Sequence, residues 1–226
     1  GTTSGWLNGQ NGLQNYKVTL YSTWTYTATP VITRSDYNTF TVSATEGSKY
    51  LISTSQTTKP SASASRWSTT ASKDVSSAGT YYVWVKDSKD YVSANKSTIA
   101  AYTISRSVGA GTTLLTQFDR TTENTSNTNN NFTSNTVMLA GTPIFAKATI
   151  QSGSEAALLK HGSTTIQQAS GTSNASGTFN VSATEAITSS ATYVAQPTYS
   201  MTIETGNIES GEHFSYSAPG ATAYLI

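Results

Sequence analysis

Two histidines, His161 and His213, are the whole imidazole supply of this 226-residue chain, which has no cysteine. A transition-metal site needs several imidazole, thiolate or carboxylate ligands converging on one point. Here each histidine has one acid near it in sequence, Glu155 for His161 and Glu212 for His213, and both pairs read as surface residues on turns. The lack of cysteine excludes disulfides and thiolate catalysis. A serine nucleophile would need a Gly-x-Ser-x-Gly turn between a strand and a helix, and the sequence has none. Glycoside hydrolysis would need one carboxyl in a dry cleft facing a second. The acids Asp36, Glu46, Asp74, Asp87, Asp90 and Asp119 instead stand in turn contexts, where the side chain caps backbone or stays hydrated. Asp87 and Asp90 share one turn that offers oxygens to calcium, but Lys86 and Lys89 flank them and oppose a dication. Gly109-Ala110-Gly111 opens no helix and reads as a linker rather than a phosphate loop. The expectation is a protein that is not an enzyme, with no catalytic, cofactor-binding or metal site.

Recognition chemistry is better represented. An indole face stacks on the C–H surface of a sugar, and of Trp6, Trp24, Trp67 and Trp84 the candidates for glycan contact are Trp6 and Trp67; Trp84 reads as core. Five Asn-x-Ser/Thr sequons, at Asn95, Asn124, Asn131, Asn174 and Asn180, would accept glycans in a suitable host. A Lys–Asn isopeptide cross-link would draw on Lys86 with Asn95, or on Lys147 with Asn180 and Glu204.

These residues are carried by a chain of low charge. Only 11% of residues are charged, against roughly 25% in ordinary soluble domains. By contrast 34 Ser and 41 Thr make up a third of it, so solubility rests on hydroxyls and amides. The 13 Tyr, 6 Phe and 4 Trp supply apolar area that argues against disorder. A net charge of +1 predicts no pull toward nucleic acid or anionic lipid, and no apolar run approaches the ~20 residues of a membrane-spanning helix. This composition points outside the cell, to a cell-surface or secreted protein. Opening on Gly1 without Met reads as a mature chain or an excised fragment.

The elements that position these residues read as strands. Helical periodicity is confined to 154–160, which is one or two turns or a strand edge. Elsewhere β-prone runs alternate with Gly, Ser, Asn, Asp or Pro clusters, the spacing of a sandwich or barrel. Strands are expected at 16–21, 31–34, 39–44, 49–53, 80–86, 99–105, 113–118, 135–139, 144–150, 156–161, 177–182, 187–194, 199–206 and 212–217. The run Thr80-Tyr81-Tyr82-Val83-Trp84-Val85-Lys86 alternates with one face buried, turns at 86–90 and continues into Tyr91-Val92-Ser93-Ala94, a central hairpin. Val108-Gly109-Ala110-Gly111 is the expected boundary, and the asparagine-rich 121–131 a mobile loop. Phe40-Thr41-Val42-Ser43-Ala44-Thr45-Glu46 echoes Phe179-Asn180-Val181-Ser182-Ala183-Thr184-Glu185, as related modules or as two strands ending in similar turns.

Several of these segments resemble the Ig-like repeats of Gram-positive multidomain surface proteins. They are Tyr50-Leu51-Ile52-Ser53-Thr54-Ser55, Lys59-Pro60-Ser61-Ala62-Ser63, Trp67-Ser68, Ala78 to Asp87 and Val92-Ser93. The likeness covers 25–107 well and is weaker from Thr112. It departs at Ser88-Lys89-Asp90-Tyr91, where such repeats place Gly-Asn. The resemblance implies an all-β protein of two tandem Ig-like antiparallel β-sandwiches, 25–108 and 112–226, preceded by an N-terminal strand segment, 1–24, as the end of a preceding repeat or an exchanged strand. It implies a stalk, spacer or adhesive segment whose partners are neighbouring repeats, other protein subunits or surface glycans, and it transfers no catalytic residue. Two further readings follow from the residues. The strand 16–21, through Tyr16, Val18 and Leu20, could complete the sheet of a neighbouring subunit in a filament by strand addition. Trp6 and Trp67 could serve a carbohydrate-binding module.

Overall fold

The computed structural model describes residues 2–7, 16–21, 25–109, 111–150, 156–170, 179–198, 216–218 and 221–223. Trp24, Glu155, Asn174, Glu204, Glu212, His213 and the expected strand 199–206 lie outside them; for Trp6, Tyr16, Val18 and Leu20 the backbone pairing is described. Among the described residues every regular element is a strand. In chain order these are β1 (Thr2–Leu7), β2 (Tyr16–Tyr21), β3 (Val31–Arg34), β4 (Thr39–Ser43), β5 (Gly47–Ser53), β6 (Ser72–Asp74), β7 (Gly79–Asp87), β8 (Ser97–Val108) and β9 (Thr112–Phe118). They continue as β10 (Thr136–Leu139), β11 (Pro143–Ile150), β12 (Ala156–His161), β13 (Thr164–Ser170), β14 (Phe179–Ala186), β15 (Ala191–Thr198), β16 (Tyr216–Ala218) and β17 (Ala221–Ala223). The fold is all-β, with several sheets, consistent with a β-sandwich.

Two compact units emerge: unit 1 is Gly1–Thr33, Phe40–Lys73 and Tyr81–Thr98, and unit 2 is Arg34–Thr39, Asp74–Thr80 and Ile99–Ile226. The division therefore passes through β8. The segment 108–111, read in the sequence as a boundary, joins β8 to β9 inside unit 2. The Gly109 N–H donates to the Ala195 carbonyl at 3.0 Å, and the Thr112 N–H returns to the Gly109 carbonyl at 3.2 Å. Gly111 supplies the left-handed residue of that turn, φ 72°, a conformation glycine adopts without steric cost.

In unit 1, β2 is not an orphan strand. It pairs antiparallel with β1 over six residue pairs, Thr2↔Tyr21 to Leu7↔Tyr16, with Trp6 opposite Lys17 and Val18 opposite Gly5. Donation of Tyr16, Val18 and Leu20 to a neighbour would thus displace β1 or use the other edge of β2. Strand β7 departs from the expected alternation, because Trp84 and Lys86 are buried as well as Tyr81, Val83 and Val85. Tyr81 meets Phe40 edge-on with ring centroids 6.2 Å apart, while Trp84 packs with Leu51 and Val92. Both faces of the strand are covered, so its residues are apolar or fully engaged throughout. After the turn, 91–94 is no strand but a single bridge, Lys86↔Val92. Its partner β5 starts at a glycine for lack of room, since a Cβ on Gly47 would lie 2.9 Å from Val85 Cγ2. The echo at 40–46 ends in a turn, with Gly47 N–H on the Ala44 carbonyl at 3.1 Å, whereas its counterpart runs on as strand to Ala186.

Unit 2 places β13, β12, β15 and β8 side by side, with β10 on β8, and a second sheet of β14, β11 and β9. Ile104, Met138, Leu159, Tyr193 and Ala195 of the first sheet share one core with Leu114, Ile144, Ala146, Ala148 and Val181 of the second. One pair is not antiparallel as expected: β15 runs parallel to β8, from Ala191↔Ile104 to Ala195↔Val108. A parallel pair needs a long connection between its strands, and all of β9 to β14 lies between these two.

The asparagine-rich segment 121–131 is tied down rather than loose. Gln117 on β9 is fully buried. Its Nε2 donates to the Asn124 carbonyl at 2.8 Å and to Asn131 Oδ1 at 2.7 Å, and its Oε1 accepts the Asn124 N–H at 2.9 Å. Asn124 Oδ1 in turn accepts the Ser126 and Asn127 N–H groups, the local side-chain turn that asparagine favours. Truncation by Gln117→Ala empties a buried position and removes three hydrogen bonds to the loop, and is expected to cost about 2–4 kcal/mol, read as a lower urea midpoint. An unchanged midpoint would mean that Gln117 does not hold the loop.

Candidate functional site

In unit 1 the glycan candidate Trp67 is half-buried and engaged. Its Nε1 donates to the Ser61 carbonyl at 3.0 Å, it packs against the Leu51, Trp84 and Val92 cluster, and Lys86 Nζ stands 5.4 Å from its ring centroid, within cation–π range. Trp84 is core, as expected, its Nε1 donating to the Gln56 carbonyl at 2.9 Å. Buried Lys86 also donates to the Ala62 carbonyl at 2.9 Å and pairs with Asp90 Oδ1 at 2.6 Å. That hydrogen bond first, and the ammonium charge second, hold the Asp90 carboxyl below the usual carboxylate range. Asp87 Oδ1 accepts the Lys89 and Tyr91 N–H groups at 2.9 and 2.8 Å, so the turn uses its acids internally.

The sequon and cross-link residues scatter. Asn95 and Asn180 are exposed, and Asn180 Oδ1 accepts Thr149 Oγ1–H at 2.7 Å. Asn124 and Asn131 belong to the Gln117 network. Lys147 pairs with Glu123 at 2.8 Å, a different partner from Asn180, and Lys86 with Asp90 rather than Asn95.

A more concentrated group lies in unit 2. His161 closes β12, and its register partner on β15 is Tyr193; their rings stack with centroids 5.3 Å apart and planes within 8°. Glu185 stands on β14, in the other sheet. Its Oε1 accepts the Tyr193 hydroxyl at 2.6 Å and lies 2.7 Å from His161 Nδ1. Three side chains thus form a polar tie between the sheets beside an apolar core. His161 is not the exposed turn residue the sequence suggests, and its partner is Glu185, 24 positions further along the chain. Tyr193 is fully buried. Burial foremost, then the hydrogen bond to Glu185 and its charge, push the hydroxyl far above the usual tyrosine value. His161 Nε2 is buried and has no hydrogen-bond partner among the described residues.

His161 and Glu185 line an open groove of about 610 Å³. The β12–β13 turn, with Gly162 at φ 64°, forms one side, and the connection from β14 to β15 forms the other. Ser163, Thr164, Ser189, Ser190 and Thr192 line it, with Ile166 and Ala191 as its apolar residues; the Ser190 hydroxyl accepts the Thr103 N–H at 3.1 Å. The Gly162 N–H donates to the Thr192 carbonyl at 2.7 Å, fixing the two sides against each other. Comparison with known proteins finds no matching family model, no similar curated protein and no similar solved structure.

The tie predicts a pH signature. The folded state holds Tyr193 protonated beyond the pH at which the unfolded chain ionises, near ~10. Its contribution is therefore complete below that pH and lost above it. The difference in stability between the native chain and Tyr193→Phe should be constant from pH 7 to 9. It should shrink above pH ~10 by up to about 1.4 kcal/mol per unit. Chemical denaturation at stepped pH measures it, and parallel curves through pH 11 would contradict the buried hydroxyl.

Proposed function

We propose that the chain is a non-enzymatic structural module of an extracellular or cell-surface protein, a stalk or spacer built from tandem Ig-like sandwiches. One observation carries the reading: β8 and β15 lie parallel in register. In the run from Ile99 onward, and among the described residues, β8 is the first strand of the two larger sheets of unit 2 and β15 the last. Tension between these ends pulls β8 toward its N-terminus and β15 toward its C-terminus. In a parallel pair those directions are opposed along a common axis, so the inter-strand hydrogen bonds load together in shear. The same pair pulled from its two N-terminal ends would open one bond at a time. A composition dominated by hydroxyls and amides suits a chain held in solvent with little charge.

Single-molecule pulling separates the two geometries. With handles at Ile99 and Thr198 the rupture force of unit 2 should be severalfold higher than with handles at Ile99 and Ser189, which unzip the pair. Equal forces would remove the argument for a load-bearing role.

A further inference from the structure

We infer that the groove at the His161 end of unit 2 binds a neutral saccharide. Its volume of about 610 Å³ lies within the ~300–1,000 Å³ of small-ligand sites. Its lining is rich in serine and threonine, whose hydroxyls both donate and accept, as a polyol does.

What sets it apart from an ordinary wet surface is the preorganised carboxylate. Glu185 Oε1 is pinned by a fully buried tyrosine and by the neighbouring imidazole. Support of that kind from rigid strands fixes a binding group before the ligand arrives. The hydrogen bonds described for Glu185 use Oε1; its second oxygen is the group offered to hydroxyl donors, and hydrogen bonds to an ionised acceptor are the strong ones.

Other ligand classes fit less well. One imidazole and one carboxylate among hydroxyls make a poor donor set for a transition metal and too few charges for a tight calcium site. An anion would meet Glu185. An apolar ligand would find only Ile166 and the small Ala191 among the lining residues. This site is distinct from Trp67, whose indole is already engaged by Ser61 and Lys86, and it stands or falls apart from the load-bearing reading, which pulling tests.

The experiment is an array of neutral and charged glycans probed with the full chain, followed by calorimetric titration of the strongest saccharide. Ser163 and Ser189 are exposed, so the double variant Ser163→Ala, Ser189→Ala is expected to fold normally and to bind at least about fivefold more weakly. Glu185→Gln should lose measurable binding, and Trp67→Ala should keep it. If Glu185→Gln fails to fold, the serine variant decides. Silence across the array, preference for acidic glycans only, unchanged affinity in the serine variant, or loss in Trp67→Ala would each overturn the proposal.

Discussion

Five residue pairs, Ala191↔Ile104 to Ala195↔Val108, close unit 2. They join strands that β9 to β14 separate in sequence, so the pairing is a long-range contact. Chain entropy opposes such a contact until the intervening sheets are in place. Tyr193 and Ala195 on β15 and Ile104 on β8 belong to the common core, and apolar burial there offsets the cost of closure. The same geometry places the hydrogen bonds of the pair across the direction in which a tethered chain would be pulled.

Among the described residues few polar side chains are buried, and most of them are hydrogen-bonded. With 11% charged residues, the described ion pairs are Arg34 with Asp119, Lys86 with Asp90 and Lys147 with Glu123, and Glu185 also meets His161. Gln117 takes the place of strand pairing for a loop too polar to pack. The Glu185 tie differs from the others because it crosses between sheets and borders a groove. A half-satisfied polar group inside a sandwich is costly. A tie of this kind therefore fixes the alignment of the two sheets, and it presents a carboxylate at a defined place on the surface.

Strand content was legible because threonine, valine and tyrosine alternate between turn residues; β2, β3 and β12 begin and end where the pattern predicts. Strand β13 was not, since Thr-Thr-Ile-Gln-Gln-Ala-Ser carries a single large apolar residue and owes its form to pairing with β12. Strand β1 hides behind Ser4 and Gly5 for the same reason. The expected strand from Ile187 starts four residues early, because Ile187 is buried as part of the turn, its N–H on the Thr142 carbonyl at 3.0 Å. The polar tie was out of reach altogether. His161, Glu185 and Tyr193 meet through antiparallel register on one side and sheet stacking on the other, and neither leaves a local spacing to read. What could have drawn attention was the rarity of histidine itself.

Native-state hydrogen exchange tests the closing pair most directly. If β8 and β15 close unit 2, the amides of 104–108 and 191–195 exchange only through global unfolding, with the free energy and denaturant slope of the whole unit. Exchange of 191–195 through a smaller opening, at lower free energy and with little dependence on denaturant, would contradict the account.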